Sequence, residues 1–299
     1  MPSRLNLFDC HCDSVTAGKL LTGDGHLKIA DAKRFGKYLQ VFAICPENEY
    51  AYSHARRYIK KYHRLMRVLG MTEVLGSDEL DVPRGAILAL EGADAFCGNL
   101  AAVRRFYDMG VRLVTITWNN NNAAGESIMS PNCGGGLTDF GRRLVRECER
   151  LGIAVDLSHL SDKGFYDVCE IAEKPFICSH SDSRAVNGAF ARNITDGQFK
   201  EIIRCGGAAG INFCTDFLGG DKGTGAVLSH IEHFLSLGGE KNIGLGSDYD
   251  GIPCLPHGCR GVDYAADIAE EMLKRNYKEE LVRAVLYGNF LRIFKQIFK

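Results

Sequence analysis

No two cysteines in this sequence stand in a C-x-x-C spacing, although it holds 12 of them among 299 residues. That absence removes the commonest thiolate metal site and the thioredoxin-like redox motif. No apolar run approaches the ~18 residues that a spanning helix needs. Lys and Arg form no basic tract and the formal net charge is only -1, so neither nucleic acid nor a membrane surface is expected as a partner. The start, MPSRLNLFDCHCD, shows no charged segment followed by an apolar stretch and a small-residue cleavage site; no signal peptide is expected, and the predicted compartment is the cytoplasm. There the cysteines read as reduced, mostly buried, small hydrophobes. G-x-S-x-G, a Walker loop and H-E-x-x-H are missing too. GLGSDYDG, 244–251, has glycines near a strand end without the Rossmann spacing. Its D-x-D-G also opens an EF-hand loop, but position 12 of that loop, counted from Asp248, requires Glu and is Cys259.

What is present is repetition. Hydrophobic residues make up 45% and charged residues 24%, enough for a sizeable core. Short apolar runs alternate with longer stretches of helical period: LNLFDC (5–10), YLQVFAIC (38–45), AILALEG (86–92), RLVTITW (112–118), IAVDLS (153–158), FICSH (176–180), AAGINF (208–213) and IGLGSD (243–248). Eight strand candidates separated by amphipathic segments predict an α/β fold, a (β/α)8 TIM-type barrel. Residues 1–299 read as one domain, and the tail from Tyr264 as two extra C-terminal helices on the outside of the barrel. AGESIMSPNCGGG, after the fourth strand, reads as a long loop.

Chemistry in such a barrel sits at the C-terminal ends of the strands. There stand His11 and Asp13, Glu91, Asp156 and His159, His180, and Asp248 and Asp250. A single histidine at a strand end ordinarily bonds to nearby backbone, and a single Glu caps a helix. Imidazoles and carboxylates converging from several strands on one mouth instead suit zinc or a similar divalent ion. Alternation along FDCHCDSV, 8–15, places Asp9, His11 and Asp13 on one face and Cys10 and Cys12 on the other. The two cysteines are then expected to pack against the surrounding helices, and Asp9 to orient a ligand.

DCHCD (9–13), ALEGAD (89–94), DLSHLS (156–161), ICSHSDSRAV (177–186), ARNITD (191–196), INF (211–213), GLGSDYDG (244–251) and NFLRIF (289–294) follow one another at telling intervals. In these marks the chain resembles, over nearly its whole length, the renal or membrane dipeptidase family, zinc peptidases among the amidohydrolase-type barrels. The resemblance implies two zinc ions, with His11 and Asp13 on one, His159 and His180 on the other, and Glu91 bridging both. It implies a hydroxide held between them as nucleophile, and Asp248 as the group that moves its proton to the leaving amine. It implies that Arg192, one residue further from His180 than in mammalian members, grips the terminal carboxylate of a dipeptide with its planar fork. Dipeptides with a C-terminal D-residue and a homodimeric assembly belong to the same expectation.

The chain departs from mammalian members after strand 4. They carry a histidine that contacts the substrate carbonyl, where TITWNNNN has Trp118, an indole that donates a hydrogen bond but is neither acid nor base. Trp118 either packs at the rim or, with Asn119, contacts substrate; the run Asn119 to Asn122 lines the pocket or turns the chain. Two rival functions share the ligand set: a metal hydrolase acting on a lactone, cyclic amide or amino-purine, and a barrel without catalysis. Arg192 discriminates against the first, because only a free carboxylate requires it. The five ligands together with Asp248 argue against the second.

Overall fold

The computed structural model describes residues 4–47, 49–131, 133–220 and 223–299. Its centre is a ring of parallel strands, β1 (Leu7–Asp9), β2 (Tyr38–Ile44), β3 (Arg84–Glu91), β4 (Val111–Thr115), β5 (Ala154–Asp156), β6 (Ile177–Cys178), β7 (Ala208–Ile211) and β8 (Ile243–Leu245). Each pairs with its neighbour in chain order, and β8 pairs back to β1, which closes the barrel. All eight expected strands are present, most of them shorter than their apolar runs. A two-residue strand, Thr72–Glu73, was not foreseen. It runs beside the start of β3, before β4 joins at Leu88, and two residues are too few to show a period.

The strands read as unbroken apolar runs because both faces are covered. In β2 every residue is buried. Tyr38, Phe42 and Ile44 pack outward with Leu7, Ile59 and Tyr62, whereas Leu39, Val41 and Ala43 pack inward with Phe8, Ile87 and Leu113. The helices of the outer layer start where side chains cap them: Asn99, Thr138, Ser161 and Thr195 each accept a hydrogen bond from a first-turn amide. No helix among the described residues is long and apolar enough to cross a membrane. All the cysteines are free. Cys10, Cys12, Cys148, Cys178 and Cys214 are buried, but Cys97, Cys133 and Cys254 are at the surface.

The C-terminal helices part company. Tyr264–Lys274 lies on the outer layer against Thr224–Ser236, as expected. Asn289–Ile297 does not: Phe290, Ile293, Phe294 and Ile297 join the inner cluster with Phe8, Leu39 and Ile177, and the rings of Phe8 and Phe294 lie 4.9 Å apart. The helix stops the end of the barrel where the strands begin. Several strands start there with residues too small to fill the bore, Ala154, Ala208 and Gly244, and a Cβ on Gly244 would overlap the ring of Phe290. An apolar helix face completes the packing that close-packed interiors require.

Candidate metal centre

At the opposite end the expected ligands converge. Glu91 points inward because it continues the alternation of Ile87 and Ala89 on β3. Its Oε1 lies 3.6 Å from Nε2 of His11, 3.2 Å from Nε2 of His159 and 3.4 Å from Nε2 of His180. Asp13 Oδ2 is 3.4 Å and Asp248 Oδ1 3.8 Å from the same His11 nitrogen. Three sets of possible ligands overlap here: His11, Asp13 and Glu91; Glu91, His159 and His180; and His11, His180 and Asp248. His159, Asp248 and the adjoining Asp250 take left-handed backbone, with φ of 67°, 61° and 67°. Such conformations cost free energy in non-glycine residues and cluster at functional sites.

The donor set fits a cation. Among the described residues His11 Nε2 is buried without a well-formed hydrogen bond, while carboxylate oxygens stand 3.4 to 3.8 Å from it. The Nε2 atoms of His159 and His180 face each other at 3.0 Å, a distance that a proton on one of them satisfies and that, with both lone pairs bare, calls for a positive charge beside them. The other nitrogen of the His159 ring is engaged, with Nδ1 3.1 Å from Asn119 Oδ1. Burial opposes charge on His11, yet Glu91, Asp13 and Asp248 raise it to about 10. Burial, then the charges of Arg192 and His11, push His159 and His180 well down. A bound cation reverses the first of these shifts and favours ionised carboxylates beside neutral imidazoles.

Asp248 is raised to about 7 by burial, against the pull of His11. Its Oδ2 accepts a hydrogen bond of 3.0 Å from Nδ2 of Asn212, whose own Oδ1 is fixed by the amide of Cys214. Asn212 was noted in INF without a role. Its signal was alternation along β7, which turns Ala208 inward and brings Asn212 to the mouth two steps beyond Gly210.

The structure corrects the phase of the first strand. Phe8 and Cys10 pack inside the barrel, whereas Cys12 packs outside with Leu7 and Tyr38, so the two cysteines do not share a face. Both are buried packing residues. Asp9 does not orient the His11 ring. It accepts from the amide and the hydroxyl of Ser247, at 2.8 and 2.5 Å, and ties the end of β1 to the segment that carries Asp248.

A cavity of about 500 Å³ opens over the centre, lined by Asp13, Glu91, His159, His180 and Asp248 and by Trp118, Asn119, Met129, Phe217 and Ile252. Trp118 forms part of its wall beside His159. Asn119 also borders it, but its carbonyl oxygen is committed to His159. Asn120, Asn121 and Asn122 bond to Glu47, to the amide of Ser127, and to Asp94 and the Ile116 carbonyl, and so turn the chain. Arg192 is not part of the cavity lining. It is 3% exposed and donates to Ser181 Oγ and to the His180 carbonyl, while its Nε has no partner.

The model of the membrane dipeptidase family (peptidase family M19) matches residues 38–299. The chain belongs to this family. Human Dipeptidase 3 is 33% identical over 221 residues, 71% of this chain and 45% of its own length; the chain spans about half the length of the curated relatives it matches. A crystal structure of dipeptidase AC, a metallopeptidase of family M19, aligns with a TM-score of 0.90 at 29% identity over 99% of both chains. A metallopeptidase from Rhodobacter sphaeroides, bound to a phosphinate mimic of the dipeptide L-Ala-D-Ala, aligns at 0.88 and 27% over 99% of this chain and 100% of its own. The family match begins at 38, after His11 and Asp13, whereas the likeness to dipeptidase AC covers 99% of the chain.

Proposed function

We propose that the protein hydrolyses the peptide bond of dipeptides, including those with a C-terminal D-residue, with two zinc ions. One observation carries this reading: a single oxygen, Glu91 Oε1, lies 3.2 to 3.6 Å from Nε2 of His11, His159 and His180, a position from which one carboxylate would serve two cations. His11 and Asp13 would hold one ion, His159 and His180 the other, and Glu91 would be shared. Bound there, zinc supplies Lewis acidity that polarises the scissile carbonyl and brings water toward hydroxide near neutral pH. Asp248, oriented by Asn212, accepts a proton at Oδ1 and passes it to the leaving amine. Trp118, Met129, Phe217 and Ile252 receive the substrate's side chains in a cavity whose size suits a small ligand. Asn119 holds His159 through Oδ1 and borders the cavity, so its side-chain NH2 is assigned to substrate. Arg192, whose charge acts on Glu91, His159, His180 and Asp248, is assigned the substrate's carboxylate, which its guanidinium would reach by leaving Ser181 and the His180 carbonyl. Membership of the family and the dipeptide mimic held by the Rhodobacter enzyme support the choice of substrate.

A second reading, hydrolysis of a lactone or cyclic amide, draws on one observation: both terminal nitrogens of Arg192 are already engaged by His180 and Ser181. One experiment separates the two. Metal content is measured on the purified protein, and L,L-dipeptides, L,D-dipeptides, lactones and cyclic amides are assayed before and after chelation. Two metals per chain and chelator-sensitive dipeptide turnover are expected. Fewer than one metal, or turnover indifferent to chelator, sinks the mechanism; turnover confined to cyclic substrates selects the second reading. A KM for dipeptides unchanged in Arg192→Ala removes the carboxylate role of that residue.

A further inference from the structure

Asp156 stands at the end of β5, wholly buried, on the inward side that Ala154 shares. It belongs to none of the three ligand sets, yet four donors converge on it. Oδ1 accepts from the amides of Ser158 and Ser179, at 3.0 and 2.8 Å, and Oδ2 from the hydroxyls of Thr115 and Ser179, at 2.7 and 2.6 Å. The Ser179 hydroxyl has one proton. Given to Asp156, it leaves the oxygen only lone pairs to offer to His180 Nδ1, 2.7 Å away. Nδ1 must then carry the ring proton, and Nε2, which faces Glu91 and His159, is left bare.

We infer that Asp156 is a positioning residue that sets the tautomer of His180 through Ser179, so that Nε2 is the nitrogen offered to the metal. The inference rests on the proposed reading of His180 as a metal ligand. The direction of each hydrogen bond follows from the carboxylate's inability to donate. Asparagine at 156 has no such limit. With its NH2 toward Ser179 the hydroxyl turns round, donates to Nδ1, and the ring proton moves to Nε2, where it blocks the metal. Thr115 is the natural control: its hydroxyl bonds to the same carboxylate oxygen as Ser179, but its described hydrogen bonds give no path to His180.

The test uses the full chain freed of metal. Zinc affinity is measured by competition with a chromogenic chelator, and the His180 tautomer by long-range nitrogen-proton NMR, in the wild type, Asp156→Asn, Ser179→Ala and Thr115→Val. Asp156→Asn and Ser179→Ala are expected to weaken zinc binding about 10- to 100-fold, the usual scale for partners that orient a ligand. Asp156→Asn should also move the His180 proton from Nδ1 to Nε2, and Thr115→Val should keep wild-type affinity and tautomer. Folded Asp156→Asn with unchanged affinity and an Nδ1 proton overturns the inference. So does an equal loss in Thr115→Val, which would make Asp156 a pin for strand ends and nothing more. Should Asp156→Asn not fold, Ser179→Ala decides, and wild-type affinity there overturns the inference. A wild type that binds no zinc overturns the metal reading together with this one; a wild type that binds zinc no better than the folded variants overturns this one alone.

Discussion

Gly251 shows how much of the centre depends on a missing atom. A Cβ built there would overlap the carboxylate oxygens of both Asp13 and Asp248, so alanine must push both of them out of place. Gly251→Ala is expected to lower zinc affinity and kcat/KM at least about tenfold, because second-layer displacement of ligands acts on that scale, with the far-ultraviolet circular dichroism unchanged; chelator competition and steady-state kinetics read both. His11→Ala should lose metal, whereas Cys10→Ala and Cys12→Ala should retain it at a cost of about 1 kcal/mol each from lost packing, seen by metal analysis and urea unfolding. Residue types at strand ends were legible in the sequence, since several His, Asp and Glu at the ends of otherwise apolar parallel strands mark one mouth, although Asp9 and Asp156 there bond to protein donors instead. The phase of FDCHCDSV was not. Asp9 pairs with Leu245 but Cys12 with Tyr249, three steps against four, so regular pairing ends at Asp9 and the strict alternation of side chains ends with it. Period-two reading cannot detect such a slip from one strand, because it arises in the pairing of two.

The helix Asn289–Ile297 is an element whose existence could be read from period and whose seat could not. Its apolar stripe would suit the outer wall equally well; the vacancy it fills is made by Ala154, Ala208 and Gly244, far apart in the chain. Phe294→Ala should therefore behave as a core truncation, costing about 3–5 kcal/mol in urea unfolding, while the folded fraction binds zinc as the wild type does. On the outer layer, His230 of the helix Thr224–Ser236 joins that helix to the segments after β6 and β7: Nδ1 accepts from the Ser183 amide at 3.0 Å and Nε2 donates to the Leu218 carbonyl at 3.3 Å. Burial lowers it to about 4. The unfolded chain, with histidine near pH 6.5, binds the proton more readily, so this contribution is whole above that pH and is lost as pH falls toward 4. Between pH 7 and 5 the loss should be about 2 kcal/mol. His230→Asn keeps an acceptor near the Nδ1 position with no proton to gain, and its unfolding free energy should fall less over that interval by about the same amount. Equal slopes in the two proteins would remove His230 from the acid response.

Across the whole molecule the inward side chains form a column. Phe290 and Phe294 close one end, Ile87, Leu113 and Ile177 fill the bore, Thr115, Asp156 and Ser179 bond to one another above them, and the carboxylates and imidazoles lie at the mouth. Eight apolar runs separated by amphipathic segments made the barrel legible, because parallel neighbours need crossovers and short ones build a closed ring. The joining of β1 to β8 was implied only by the count. The column also ties stability to the metal. With three imidazoles and three carboxylates held together within a few ångströms, a ligand that binds the folded state alone adds RT ln(1 + [L]/Kd), about 2.7 kcal/mol per site at a free concentration a hundred times Kd. For a chain of 299 residues each kcal/mol moves Tm by about 1.5–2 °C. Chelation should thus lower Tm by several degrees and zinc should restore it, while Glu91→Gln, which weakens the carboxylate proposed to be shared, should show most of that loss already and respond little to either. A chelated wild type that melts where the zinc-loaded protein does would mean that the centre folds complete without its ion and that the cation contributes to chemistry alone.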